Sequence, residues 1–237
     1  MDRIGGSPSG AHPLARGGSA DTQDAAQRSQ RLQILATEHW NLLATRGLSW
    51  NESFSRANMF LTVLSGATVA LALVAQATSF GEGFVTFALL ILPVVLIIGL
   101  TTFVRLVEVN SEDVHWVYGM NQIRHAYLDM EPDLKPYFVS GSTVDDAGIS
   151  QTYGSHGTGS VYLHGLVTTP ATVAFVNAML AAILGSVILI QWQMTMLPAV
   201  GVGTVIFAVV CVVQMAFGRW SDRRYQEEHA RRDPVGD

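Results

Sequence analysis

At 237 residues the chain has the length of one or two soluble domains, yet only 14% of its residues are charged, against about 25% in an ordinary soluble protein. The formal net charge of -5 does not describe one acidic surface, and the arginines that do cluster (Arg219, Arg223, Arg224, Arg231, Arg232) are interrupted by Asp222, Glu227 and Glu228, a pattern that argues against nucleic-acid binding and suits a stop-transfer segment facing lipid headgroups. The single cysteine, Cys211, excludes an intramolecular disulfide and a cysteine-built metal site within one chain.

Residues 1–21 are rich in Gly, Ser, Pro, Ala and Arg and hold no apolar run. That composition predicts a disordered tail and no cleavable signal peptide. Over residues 22–47, Leu32, Leu35, His39, Leu42 or Leu43, and Arg46 recur at helical spacing, and Gly47 is placed to end a helix. The reading is a cytoplasmic amphipathic helix that packs on protein. Ser49-Trp50-Asn51-Glu52 has capping-box spacing, so a new helix is expected near Trp50.

Residues 50–130 read as a first transmembrane hairpin. Between Arg56 and Glu82 lie 25 residues without a charge, and between Glu82 and Arg105 another 22; each run exceeds the ~20 residues that cross a bilayer. The short Ser79 to Gly83 segment between them is the turn. After Arg105 the second helix is predicted to continue to Met130, because Val109, Trp116, Met120, Ile123 and Tyr127 form one apolar stripe. That stripe needs a partner, and the 22–47 helix is the expected one, together with the C-terminal extension through Tyr225 to Ala230. Residues 131–168 form a loop rich in Gly, Ser and Thr that also carries Tyr137, Phe138, Tyr153 and Tyr162. At this length it is either a disordered linker or a loop with work to do.

Residues 169–220 read as a second hairpin, with spans near Pro170 to Trp192 and Pro198 to Gly218, and residues 221–237 as a cytoplasmic tail. With four spans, all fourteen Lys and Arg fall on one side, which the positive-inside rule makes the cytoplasm. The expected fold is therefore all-α: a multi-pass protein of the plasma (inner) membrane with four transmembrane helices as two hairpins, cytoplasmic helical extensions and both termini cytoplasmic. Trp50, Trp192 and Trp220 fall where interfacial anchors belong.

Candidate chemistry is sparse. Glu108, Glu112 and His115 share one helix face, and Glu112-x-x-His115 has the spacing of carboxylate di-metal bundles; such sites need two motifs of this kind and two further Glu, so a solvated polar face with an incidental histidine is the preferred reading. Asp113 and Arg124 read as surface or interhelical charges. In the 131–168 loop, Asp145, Asp146, His156 and His164 with Ser150 or Ser155 are the residues a hydrolase would draw on. No Gly-x-Ser-x-Gly, phosphate-binding loop or His-Glu-x-x-His accompanies them. The chain is expected to be no enzyme and to need no cofactor.

No ionisable residue lies mid-span, which argues against a proton relay or voltage sensor. The neutral polar residues Thr62, Ser65, Asn177 and Gln214 are candidates for interhelical hydrogen bonds or, in a ring of subunits, for a pore lining. Small residues at four-residue spacing (Ala174, Ala178, Ala182, Ser186) favour close helix contacts. The functional expectation is an oligomeric scaffold or signalling module in the bilayer, acting through its cytoplasmic helices on itself and on a cytoplasmic protein partner. A homo-oligomeric ion channel is the alternative.

Overall fold

The computed structural model describes residues 15–153 and 168–232, and within them the chain is all-helical. The elements are α1 (Ala15–Thr78), α2 (Glu82–Met130), a short 3-10 helix (Pro132–Tyr137), α3 (Asp146–Thr152), α4 (Thr169–Gln191) and α5 (Met196–Arg232). Four of them, α1, α2, α4 and α5, are long and apolar enough to cross a membrane, the mark of a multi-pass membrane protein.

α2 is the hub. It packs on α1, α4, α5, α3 and the 3-10 helix, while α4 packs on α5. The apolar core is shared by Ala57, Phe60 and Ala67 of α1, Ala88, Leu92, Val95, Phe103, Leu106 and Val107 of α2, and Val173 and Leu180 of α4. α1 and α2 run antiparallel, as Glu52 with Arg105, Arg46 with Asp113 and Arg28 with Glu131 show in succession. Only Ser79, Phe80 and Gly81 join them. A reversal that tight forces Ser79 and Phe80 to positive φ (47° and 58°), a conformation costly to a bulky side chain; Phe80 is partly compensated by edge contact with Phe84.

Three expectations about element boundaries are corrected. α1 does not end at Gly47 and restart near Trp50: it is one helix of 64 residues. An internal glycine costs a helix only about 1 kcal/mol, and ties on both sides of it outweigh that: Arg46 to Asp113 on one side, Glu52 to Arg105 on the other. Ser49 and Glu52 therefore cap nothing. α1 also begins at Ala15, inside the 1–21 stretch assigned to a tail, of which residues 1–14 lie outside the described residues. Finally, α5 continues through residues 221–232, where a tail is predicted; no Gly or Pro interrupts the sequence from Arg219 to Arg232. The side chains of Tyr225 to Ala230, a suggested partner for α2, lie outside the described residues. α2, by contrast, spans the predicted length to Met130 without a break despite Pro93.

Candidate functional site

The most elaborate polar construction lies where α1, α2 and α3 meet, beyond the apolar core. Asp113 stands on the packed face of α2, and its carboxylate accepts four hydrogen bonds. Arg46 donates two, Nε to Oδ1 at 2.6 Å and Nη2 to Oδ2 at 3.1 Å. Trp50 Nε1 donates to Oδ1 at 3.0 Å, and the Tyr153 hydroxyl donates to Oδ2 at 2.7 Å. The Arg46 guanidinium also sits 5.6 Å from the centre of the Tyr153 ring. Burial pushes the Asp113 carboxyl up, but the bonds from Arg46, Tyr153 and Trp50 outweigh it and hold it below its ordinary value. Burial likewise pushes the Tyr153 hydroxyl up, and its bond to Asp113 adds to the shift. Asp113 is therefore held as the carboxylate chiefly by Arg46, and Tyr153 as the protonated phenol chiefly by burial, with the bond between them favouring both states.

Two turns further along α2, Asn121 is fully buried and extends the same network. Its Nδ2 donates to the Thr143 carbonyl at 3.0 Å, and its Oδ1 accepts from Thr152 Oγ1 at 2.9 Å and from Arg124 Nη1 at 2.8 Å. Arg124 also donates to the Gly141 carbonyl. Asp145 caps α3 by accepting from the Gly148 amide at 2.9 Å. Gly141 and Gly148 make the fold of this segment feasible, because a Cβ on Gly141 would fall 2.0 Å from the Gly148 carbonyl oxygen. The loop expected to be either linker or working part is thus docked on α2 over residues 141–153. His39 lies on the α2-facing side of α1, where burial and then the charge of Arg124 lower its pKa; its Nδ1 and the indole Nε1 of Trp116 are buried without a hydrogen-bond partner among the described residues.

Closer to the apolar core, Arg105 is bonded to Glu52 (3.0 and 3.1 Å), Glu108 (3.2 Å) and Glu112 (3.1 Å). This revises the metal reading of Glu108, Glu112 and His115: the carboxylates converge on a guanidinium, His115 is exposed with its ring tilted against that of Trp116, and no cluster of three or more metal-ligating side chains exists among the described residues. The hydrogen bonds from Arg105 and Arg56 hold Glu52 at about 2, against an ordinary 4.5. Arg105→Gln is therefore expected to raise the Glu52 pKa toward its ordinary value, with Arg56 retaining part of the shift. Carboxyl titration of a carbon-13-labelled protein reads this directly, and an unmoved Glu52 contradicts it. An open groove of about 480 Å³ runs along α1 at this level, lined by Leu48, Asn51, Glu52, Ser55, Arg56 and Met59, its two charges bonded to each other.

The neutral candidates divide. Asn177 and Gln214 meet inside the bundle: Asn177 Nδ2 donates to Gln214 Oε1 at 3.4 Å, and Gln214 Nε2 donates to the Ala174 carbonyl at 3.1 Å. Asn177 Oδ1 has no hydrogen-bond partner among the described residues. Thr62 and Ser65 stand apart from them on the exposed side of α1, each hydroxyl donating to its own helix (Asn58 and Leu61 carbonyls, 2.8 Å). Of the hydrolytic candidates, Ser155, His156 and His164 lie outside the described residues, and Asp145 is a helix cap. Sequence reasoning missed the roles of Trp50, Asn121, Thr152 and Tyr153. A signal for the first existed: Asp113 fills the seven-residue gap between Val109 and Trp116 in the α2 stripe, and a carboxylate on a packed face needs donors opposite.

Comparison with family models, with curated proteins and with solved structures found no match.

Proposed function

We propose that the chain is a non-enzymatic integral membrane protein that assembles into a homo-oligomer and serves as a scaffold or signalling module through its cytoplasmic helices. In this reading α1 with α2 and α4 with α5 are two transmembrane hairpins in the plasma (inner) membrane, the termini and the 131–168 segment are cytoplasmic, and the partners are lipid and a cytoplasmic protein. The observation that supports it most is the four-bond Asp113 centre, which joins the charged halves of α1 and α2 to the 141–153 segment. A network so fully satisfied rigidifies the part outside the apolar core, and a rigid extension is what a docking platform requires. The test is native mass spectrometry of the protein released from nanodiscs. Dimers or higher assemblies are expected, and a monomer at all concentrations would remove the reading.

The second reading, a pore enclosed by several copies, draws on the exposed hydroxyls Thr62, Ser65 and Thr68, which line the outside of α1. Ion flux into liposomes that changes with Thr62→Val or Ser65→Ala would favour it. Silent liposomes favour the scaffold.

A further inference from the structure

Outside the apolar core, α1 uses only one side to pack on α2. A flank about a quarter-turn away from that side carries Ala36, Trp40, Leu43, Gly47, Trp50 and Phe54, spaced four and three residues alternately, the repeat that keeps a seam facing a second helix; Trp50 stands at its edge, with its indole N–H bonded to Asp113 of α2. Trp40 is 69% exposed, Leu43 43%, Trp50 47% and Phe54 49%. None of the charged residues from Arg28 to Arg56 (Arg28, Arg31, Glu38, Arg46, Glu52, Arg56) falls on this line; at 100° per residue they gather on the α2 side and its other flank. Water does not solvate such a face cheaply. Lipid does not reach its outer part either, since Trp40 lies 16 residues, or about 24 Å, beyond Arg56, the last charge before the apolar run.

We propose that this face is a self-association seam: α1 of one copy packs in parallel on α1 of a second copy across a twofold axis along the membrane normal. The proposal rests on the oligomeric reading above and names its surface and symmetry. Three observations select a second copy as occupant. The same side continues into the apolar run as Leu61, Ser65 and Ala72, all exposed, so the occupant is a helix that itself passes from bilayer to water alongside α1, which α1 does. Copies inserted with one orientation are related by rotation about the membrane normal, so identical helices meet in parallel and equal residues face each other; a charge-free line brings no like charges together. Gly47 completes the case. Among the described residues nothing lies within 4 Å of a Cβ there, and a second backbone crossing at the seam accounts for a residue that weakens the helix.

The test is disulfide formation by single cysteines introduced into the full-length protein in membranes, in a Cys211→Ala background. Trp40→Cys, Leu43→Cys and Phe54→Cys are each expected to cross-link to their own counterpart at least about tenfold faster than Ile34→Cys and Leu48→Cys, which are equally apolar and 61% and 71% exposed but lie off the line. Trp40→Glu with Leu43→Glu is expected to dissociate the assembly on native mass spectrometry with helical content unchanged. An oligomer that persists while seam and control positions react alike overturns the seam and leaves the oligomeric reading standing. A monomer overturns both. Seam cysteines that never cross-link and resist a soluble thiol reagent mean that the chain's own segments or another protein cover the face, which also overturns it.

Discussion

Asp113→Ala is expected to lower stability by about 3–5 kcal/mol, the range for removing one member of a buried ion pair. The Asp113 side chain is only 7% exposed and that of Arg46 22%, so neither water nor salt substitutes for the lost carboxylate. The substitution leaves a guanidinium, an indole N–H and a phenol O–H without their acceptor at once. Unfolding in mild detergent, followed by circular dichroism, reads the loss, and hydrogen exchange should show residues 141–153 opening first. Tyr153→Phe removes one neutral donor and is expected to cost about 1 kcal/mol, with exchange rising in the same segment. The double variant Asp113→Leu with Arg46→Met should recover much of the single-variant loss, because apolar residues of similar volume leave no orphaned charge.

Acid acts on the same centre. The Asp113 carboxyl is held below its ordinary value of 3.8 in the folded protein, so the unfolded chain takes up the proton first as pH falls. The stabilisation is complete above about 3.9 and is lost as pH drops through the depressed folded value. Glu52 behaves alike across 4.5 down to about 2. Melting temperature should therefore be flat from neutral pH to near 5 and fall below it, with a shallower fall in Asp113→Asn.

Gly99→Ala is the second large effect. A Cβ at Gly99 would stand 1.9 Å from Asn177 Oδ1 and 2.8 Å from Phe60 Cε2, and both side chains are fully buried. Neither can retreat: Asn177 is tied to Gln214, and Phe60 sits in the shared core of α1, α2 and α4. Overpacking of this kind costs typically 1–3 kcal/mol, and here α4 must move away from α2, straining the Asn177–Gln214 bond with it. Gly66→Ala is the control. Nothing lies within 4 Å of a Cβ there, so the better helix former should be neutral or stabilising. Thermal unfolding of the two variants side by side decides the matter, and equal melting temperatures would contradict the close approach at Gly99.

The long helices were legible because each feature that made them was local: charge-free runs of membrane length, and an α2 stripe that continued past Arg105. The continuity of α1 was not. Gly47 and the Ser49 to Glu52 spacing are local stop and start signals, and they were overruled by side chains from the other helix, Asp113 and Arg105, which lie more than fifty residues away in sequence. The polar centre was half legible. His39 and Arg46 on the α1 stripe and Asp113 on the α2 stripe are ionisable residues at packing positions on two faces expected to meet, which foretells a pair. Tyr153 and Thr152 were beyond reach, since only the fold of the 141–153 segment brings them back onto α2.

One uninterrupted rod through α1 has a mechanical consequence. Arg28 lies 28 residues from Arg56, about 42 Å along a helix, and there is no joint between them. A change of about 10° in the direction of the apolar half swings Arg28 through about 7 Å, and the ties at Arg105, Asp113 and Glu131 oblige α2 to swing with it. Tilting is one way in which a long apolar helix accommodates a thinner bilayer. In the membrane reading proposed above, a tilt of the apolar half is carried to the far end of the pair and amplified by leverage rather than by any change of fold.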